Sequence, residues 1–227
     1  WEGFYLDSTK TLVLGEPLNT PGSNLVANFK LAAKSFKIKP TMILSIDYGS
    51  KLAGTTAVCF EENNSLHLLQ STKKQDADAW LGKVISQKKP AKIYMDAPLG
   101  LPPGCLGQSG DFFYRACDRA AGAMSPMFLG GLTARALQLR AKFPALPFYE
   151  VYPAALVRLL LPGAHFYKKS DLPAFCEMLA GQLPLPWSSA PENWHQADAM
   201  LAWLSGWRHG KGIAKQFGSE PEGVIWV

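Results

Sequence analysis

The sequence predicts an α/β fold with a central mixed five-stranded sheet flanked by helices. Three observations predict it. Residues 42–46 form an apolar run broken only by Ser45, which reads as a strand buried on both faces and ends in Asp47. Ala91-Lys-Ile-Tyr-Met-Asp96 repeats the pattern, a strand that again ends in a carboxylate. Between them lie two further strand-like runs and one helical stripe, so the order is strand, strand, strand, helix, strand. A strand reached through a helix is able to lie parallel to the first. Asp47 and Asp96 are then expected side by side at one sheet edge, where ligands of open α/β sheets collect.

Each element has its own signal. Gly49 and Gly54 let the chain turn after Asp47, and residues 55–60 return as the second strand. Glu61-Glu-Asn-Asn makes a turn, and residues 65–71 are the third. Ala77, Trp80, Leu81, Val84 and Ile85 recur at helical spacing within 75–88. A stiff loop rich in Pro and Gly follows Asp96. Residues 111–121 read as a helix with Arg115 and Arg119 one turn apart and Asp118 close by. Two readings stay open there: a solvated face with an ion pair, or two guanidiniums aimed at phosphate. A helix over 132–143 adds Arg135 and Arg140.

Pro147-Phe-Tyr-Glu-Val-Tyr-Pro153 is the fifth strand. Glu150 at its centre either points to solvent on an edge strand or, in an internal strand, joins the acids near the sheet edge. Helices follow over 154–161 and 172–183, and between them Lys168 is an exposed turn residue or a phosphate contact. The last long helix begins near Asn193-Trp-His-Gln196, whose spacing resembles a capping box. Asp198 shares a face with Leu201, Ala202 and Ser205, so that face reads as buried. His195 has no second histidine at ligand spacing and reads as structural. Residues 223–227 add a last short strand.

The chain has 227 residues, 48% of them hydrophobic, which suits one large domain or one domain with additions. Residues 1–40 read as an N-terminal extension: two short strands, Phe4-Tyr-Leu and Thr11-Leu-Val-Leu, then a basic amphipathic helix carrying Leu25, Phe29, Ala32 and Phe36. Residues 41–227 form the main domain. Cys59, Cys105, Cys117 and Cys176 show no CxxC pairing, which favours reduced thiols and a cytoplasmic protein over a disulfide framework or a zinc site. No apolar run approaches the roughly 20 residues of a membrane span. Lys and Arg exceed Asp and Glu by 23 to 18, a balance that permits an anionic partner such as DNA or RNA.

Clustered carboxylates repel one another, and hard divalent cations relieve that repulsion through oxygen ligands. Asp47, Asp96 and Asp198, from separate segments, are therefore candidate ligands for Mg2+ or Mn2+ and candidate catalytic groups for phosphodiester hydrolysis, with Glu150 a fourth. Ile46-Asp-Tyr-Gly, Met95-Asp-Ala-Pro-Leu-Gly-Leu-Pro, Tyr114-Arg-Ala-Cys-Asp-Arg119, Tyr149-Glu-Val-Tyr-Pro153 and Asp198-Ala-Met-Leu-Ala together resemble a family of predicted ribonuclease-H-like nucleases. The resemblance runs from about Met42 to the C-terminus. It implies a ribonuclease-H-like fold and a metal-dependent nuclease site at Asp47, Asp96 and Asp198. Arg115, Arg119, Arg135 and Lys168 are the candidate nucleic-acid contacts. Two other classes are compatible with the chain. The Asp-x-Gly hairpin resembles the first phosphate loop of actin-like ATPases and sugar kinases, and a non-catalytic nucleic-acid-binding module would keep the fold and the basic surface.

Overall fold

The computed structural model describes residues 4–6, 12–14, 42–162 and 168–227. The chain divides into two units, Trp1–Pro40 and Thr41–Val227. In the first, β1 (Phe4–Leu6) and β2 (Leu12–Leu14) pair antiparallel, with Phe4 opposite Leu14. The basic helix expected over 25–36 lies outside the described residues.

The second unit is built on a mixed sheet. Its strands are β3 (Ile43–Asp47), β4 (Ala57–Glu62), β5 (Ser65–Gln70), β6 (Lys92–Asp96), β7 (Phe148–Val151), β8 (Gln216–Ser219) and β9 (Gly223–Trp226). They lie in the order β5-β4-β3-β6-β7-β9-β8. The pairs β3–β6, β6–β7 and β7–β9 are parallel, and β3–β4, β4–β5 and β8–β9 are antiparallel. An antiparallel meander followed by helical crossovers to parallel strands is the arrangement that the ribonuclease-H-like resemblance implies.

The sheet has seven strands where five were expected. The addition is a C-terminal hairpin. Its strand β9 carries the apolar signal already noted in 223–227. Its partner β8 reads Gln-Phe-Gly-Ser, too short and polar to register as a strand, and is specified by pairing with β9. The turn between β4 and β5 is set locally: Asn63 and Asn64 both have left-handed φ, as a two-residue type I′ loop demands.

Helices cover both faces. Leu44 and Ile46 of β3 and Val58 and Phe60 of β4 pack on α1 (Ala77–Lys88) through Leu81, Val84 and Ile85. The same cluster includes Ala136 and Leu139 of α4 (Gly131–Ala141), with α2 (Ala116–Ala121) and the single-turn α3 (Pro126–Leu129) preceding it in the chain. Successive strand residues face opposite ways. Ala57 and Cys59 of β4 accordingly join the core formed with α5 (Pro153–Leu160), α6 (Leu172–Ala180) and α7 (Trp194–Gly210). Each Leu or Ile so buried contributes about 1.5–3 kcal/mol.

Helix α7 lies very close to the sheet. Ser45 Oγ donates to Ala199 O at 2.7 Å. At Gly206 a Cβ would sit 2.5 Å from the Tyr94 ring of β6, so only glycine allows this approach. At the free edge of β5, the N–H of Leu66 donates to Pro186 O and the N–H of Ser188 donates to Leu66 O, both at 2.8 Å. The segment around Trp187 thus lies parallel to β5 as a one-residue bridge.

Helix α2 starts five residues later than the sequence pattern predicts. Asp111 forms its own turn, its Oδ1 accepting from the N–H groups of Phe113 and Tyr114. Arg115 is extended, with φ −85 and ψ 160, and serves as the N-cap, while Asp118 Oδ2 accepts from its N–H at 2.8 Å. Local side-chain bonds thus replace the first helical turn.

Candidate functional site

The alternation that buries β3 and β6 also aims their last residues. Leu44 and Ile46, and Ile93 and Met95, face α1 and α4. Ser45 and Tyr94 face α7, and Asp47 and Asp96 are next in that row. They are direct partners in the parallel register. The expected juxtaposition of the two strand-end carboxylates is therefore observed.

Helix α7 brings the third acid. Asn193 caps it, its Oδ1 accepting from the Gln196 N–H at 3.2 Å. The other half of the expected capping box is displaced: Gln196 Oε1 accepts from the Glu192 N–H at 2.9 Å, one residue before the cap. His195 and Asp198 are one turn apart near this end. His195 Nδ1 lies 2.8 Å from Asp47 Oδ2. Asp198 Oδ1 is buried and, among the described residues, has no hydrogen-bond partner.

The electrostatics follow from burial and like charge. Asp96 is held well above the ordinary carboxylate range, first by burial and then by the charges of Asp47, Asp198 and Glu150. Burial, then Asp47, pushes Asp198 up to about 8. Asp47 is also raised by burial, and His195 opposes that shift through its hydrogen bond and charge. The same bond raises His195. An unpartnered buried carboxylate oxygen and acids that repel one another are the state that a cation would relieve. The oxygen donors of Asp47, Asp96 and Asp198 suit a hard divalent ion in kind. Among the described residues no three His, Cys, Asp or Glu side chains already close on one point as a ligand group. The fit therefore rests on the donor chemistry and on the orphaned Asp198 oxygen.

Glu150 lies on β7 opposite Met95, beside Asp96 in the sheet. It is an internal acid rather than an edge residue facing solvent, and its oxygens are taken. Arg115 Nη1 donates to Oε2 at 2.8 Å, Nη2 donates to Oε1 at 2.6 Å, and the Leu99 N–H donates to Oε2 at 2.8 Å. Burial raises its pKa, against the pull of Arg115.

The basic candidates separate into two kinds. Arg115 does not form a phosphate-facing fork with Arg119. It is 1% exposed, and Asp118 and Glu150 occupy its guanidinium. Arg135 is turned inward too, with Nε and Nη2 on the two oxygens of Asp78 and Nη1 donating to Gly49 O at 3.1 Å, just past Asp47. It braces the turn after β3. Interior carboxylates outcompete solvent for both side chains because a buried acid left alone is costly. Arg119 is exposed, pairs with Asp111, and lies 4.4 Å from the centre of the Tyr114 ring. Lys168 is exposed, and its carbonyl accepts from Trp194 Nε1 at 3.0 Å.

A cleft of about 250 Å³ opens beside the acids, lined by Asp47, Asp96 and Glu150 together with Met124, Leu129 and Leu132. His195 is the site residue that the sequence reading set aside. The available signal was its one-turn spacing from Asp198, not a second histidine.

No family model matches the chain, and no curated protein matches it. Solved structures of a Thermus thermophilus protein are similar to it. The RuvC structure is 19% identical with a TM-score of 0.42, covering 77% of this chain and 98% of that one. RuvC in complex with a Holliday junction substrate is 18% identical with a TM-score of 0.44 over the same shares. The fold rests on the strand order and directions given above, not on these likenesses.

Proposed function

We propose that the protein is a metal-dependent nuclease whose Asp47, Asp96 and Asp198 hold Mg2+ or Mn2+ and direct phosphodiester hydrolysis in nucleic acid. The observation that carries this reading is the register pairing of Asp47 with Asp96 beneath an α7 carboxylate that has a buried, unpartnered oxygen. Such a cation supplies charge for the phosphate and lowers the pKa of a water. The chain's own contribution is to hold three carboxylates at one sheet edge with no lysine or arginine paired to them among the described residues. His195 orients Asp47 through Oδ2 and leaves Oδ1 for other contacts. Glu150 acts here through position rather than chemistry. Its bond to the Leu99 N–H fixes the chain three residues beyond Asp96, and Arg140 Nη1 holds the Leu99 carbonyl at 2.8 Å. Arg119 and Lys168 remain as the exposed cations proposed to meet phosphate.

The test is cleavage of labelled single-stranded and duplex DNA and RNA with EDTA, Mg2+ or Mn2+. Metal-dependent cutting that falls at least 100-fold in Asp96→Asn is the expected result. Binding of these nucleic acids with no cutting under any metal would instead mark a non-catalytic binding module.

A further inference from the structure

Six of the ten exposed large apolar side chains among the described residues fall within 106–128: Leu106, Phe112, Phe113, Met124, Met127 and Phe128. Contacts join Phe113, Phe128 and Tyr114, and join Met127 to the backbone of Phe112. The Phe113 and Phe128 rings are 5.6 Å apart, Tyr114 meets Phe128 edge-on at 5.9 Å, and Cys105 Sγ bridges the Phe112 carbonyl and Met127 Sδ. Phe112 is 62% exposed and Phe128 64%. A contiguous patch of rings this exposed marks a contact surface.

The patch is continuous with the acid cleft. Met124, two residues before α3, and Leu129, the last residue of α3 and next to Phe128, line the same cavity as Asp47 and Asp96. Its rim carries the exposed Arg119, whose guanidinium lies over Tyr114. Flat rings with a cation at the border match the faces of nucleobases joined by phosphate. The occupant has to be unpaired, because base pairing and stacking within a duplex hide the faces that the rings would take.

We propose that Phe113 and Phe128, with Phe112, are a stacking platform for unpaired bases of a nucleic-acid strand whose neighbouring phosphodiester enters the Asp47/Asp96 cleft. This rests on the nuclease reading of that cleft and adds the substrate class: single-stranded or locally unpaired DNA or RNA. The rings serve little in the fold, since they are at least half exposed. Phe113→Ala/Phe128→Ala is therefore expected to fold with an unchanged unfolding temperature.

The experiment is fluorescence anisotropy in EDTA, so that binding is read without cleavage. The probes are labelled oligodeoxythymidine and oligouridine of about twelve nucleotides, an abasic strand with the same number of phosphates, and a fully paired duplex. The wild type should bind the unpaired strands about ten-fold more tightly than the abasic strand or the duplex. The double variant should lose that preference and keep the salt dependence set by phosphate contacts. A wild type that does not discriminate the abasic strand, or a variant that binds as the wild type does, overturns the platform. So does a wild type that sediments as a dimer through these rings with no change in binding when they are removed. A parallel cleavage arm in Mn2+ separates the two ideas. Base-dependent binding without cutting removes the nuclease and leaves the platform, whereas undiminished binding and cutting by the double variant removes only the platform.

Discussion

Asp118 and Glu150 share one buried guanidinium, whereas Asp47, Asp96 and Asp198 share none. The two groups sit side by side, since Glu150 is the sheet neighbour of Met95 and Asp96 follows at once. Both concentrate negative charge in a poorly solvated place. In the first, the chain supplies Arg115 and closes the site with hydrogen bonds on every oxygen of Glu150. In the second, the basic group paired with an acid among the described residues is His195, half-exposed and bound to a single oxygen of Asp47. A chain able to neutralise acids internally has done so one strand away from a cluster to which it gives no guanidinium, and whose acids are pushed toward the protonated form instead. Stability explains the first arrangement and works against the second.

Removing Arg115 is the strongest way to test that contrast. Arg115→Ala leaves two acids buried without a cation and should destabilise the protein by about 3–5 kcal/mol. Adding Asp118→Asn and Glu150→Gln should recover a large part of the loss, because the uncompensated charge is then gone. Urea unfolding of the single and triple variants measures both. A single variant as stable as the wild type would mean that the pair is not the structural element described here.

The opposite sign is expected at Asp198. Its pKa is raised to about 8 by burial and by Asp47, against an unfolded value near 3.8. The folded state thus binds the proton more tightly, and the stability associated with it is full below about pH 4 and lost as pH rises through about 8. The metal-free wild type should lose melting temperature between pH 5 and 8.5, and His195, also raised, acts in the same direction. Asp198→Asn should flatten that slope and raise the melting point at pH 8 by at least about 2–4 °C, the change that 1 kcal/mol produces in a domain of this size. The stabilisation by Mn2+ should shrink at the same time. Thermal unfolding with EDTA and with Mn2+ gives all three quantities. A destabilised variant with an undiminished Mn2+ response would take Asp198 out of the proposed centre.

The smallest effect belongs to Arg119, an exposed cation of neither group. Arg119→Ala should leave the melting temperature unchanged, weaken nucleic-acid binding, and lower the slope of log K against log salt by about 1. An unchanged salt slope would return Arg119 to the role of a surface partner for Asp111.

How much of this was legible in the sequence depended on the range of the interaction. The β3 and β6 strands declared themselves by apolar runs ending in Asp47 and Asp96, and their pairing followed from chain order alone. Asp198 was legible through the apolar residues on its helical face. Arg115 was not. Its neighbour Asp118 is local, but Glu150 is 35 residues away, and no pattern distinguishes a guanidinium that turns toward a strand from one that faces water. Arg135 was misread for the same reason, since Asp78 lies 57 residues before it. Strand β8 was missed because only its partner β9 gives it a reason to be extended. The His195–Asp47 contact spans 148 residues, and it became visible only once α7 had been laid across the end of β3.

The short bridge at Leu66 has a bearing on how the protein behaves at high concentration. An open sheet offers an unpaired row of backbone groups at each side, and such a row is a template for another chain. Here the N–H and carbonyl of Leu66, near the start of the β5 edge, are already taken by Pro186 and Ser188. Pro184 and Pro186 lie just before the bridge residue Trp187 and carry no N–H of their own, which keeps the covering segment from offering a full ladder outward. The cover interrupts the row of free backbone groups that a second copy would need for a continuous intermolecular sheet. Loop 184–188, which holds none of the acids, thereby bears on colloidal behaviour and storage life rather than on chemistry.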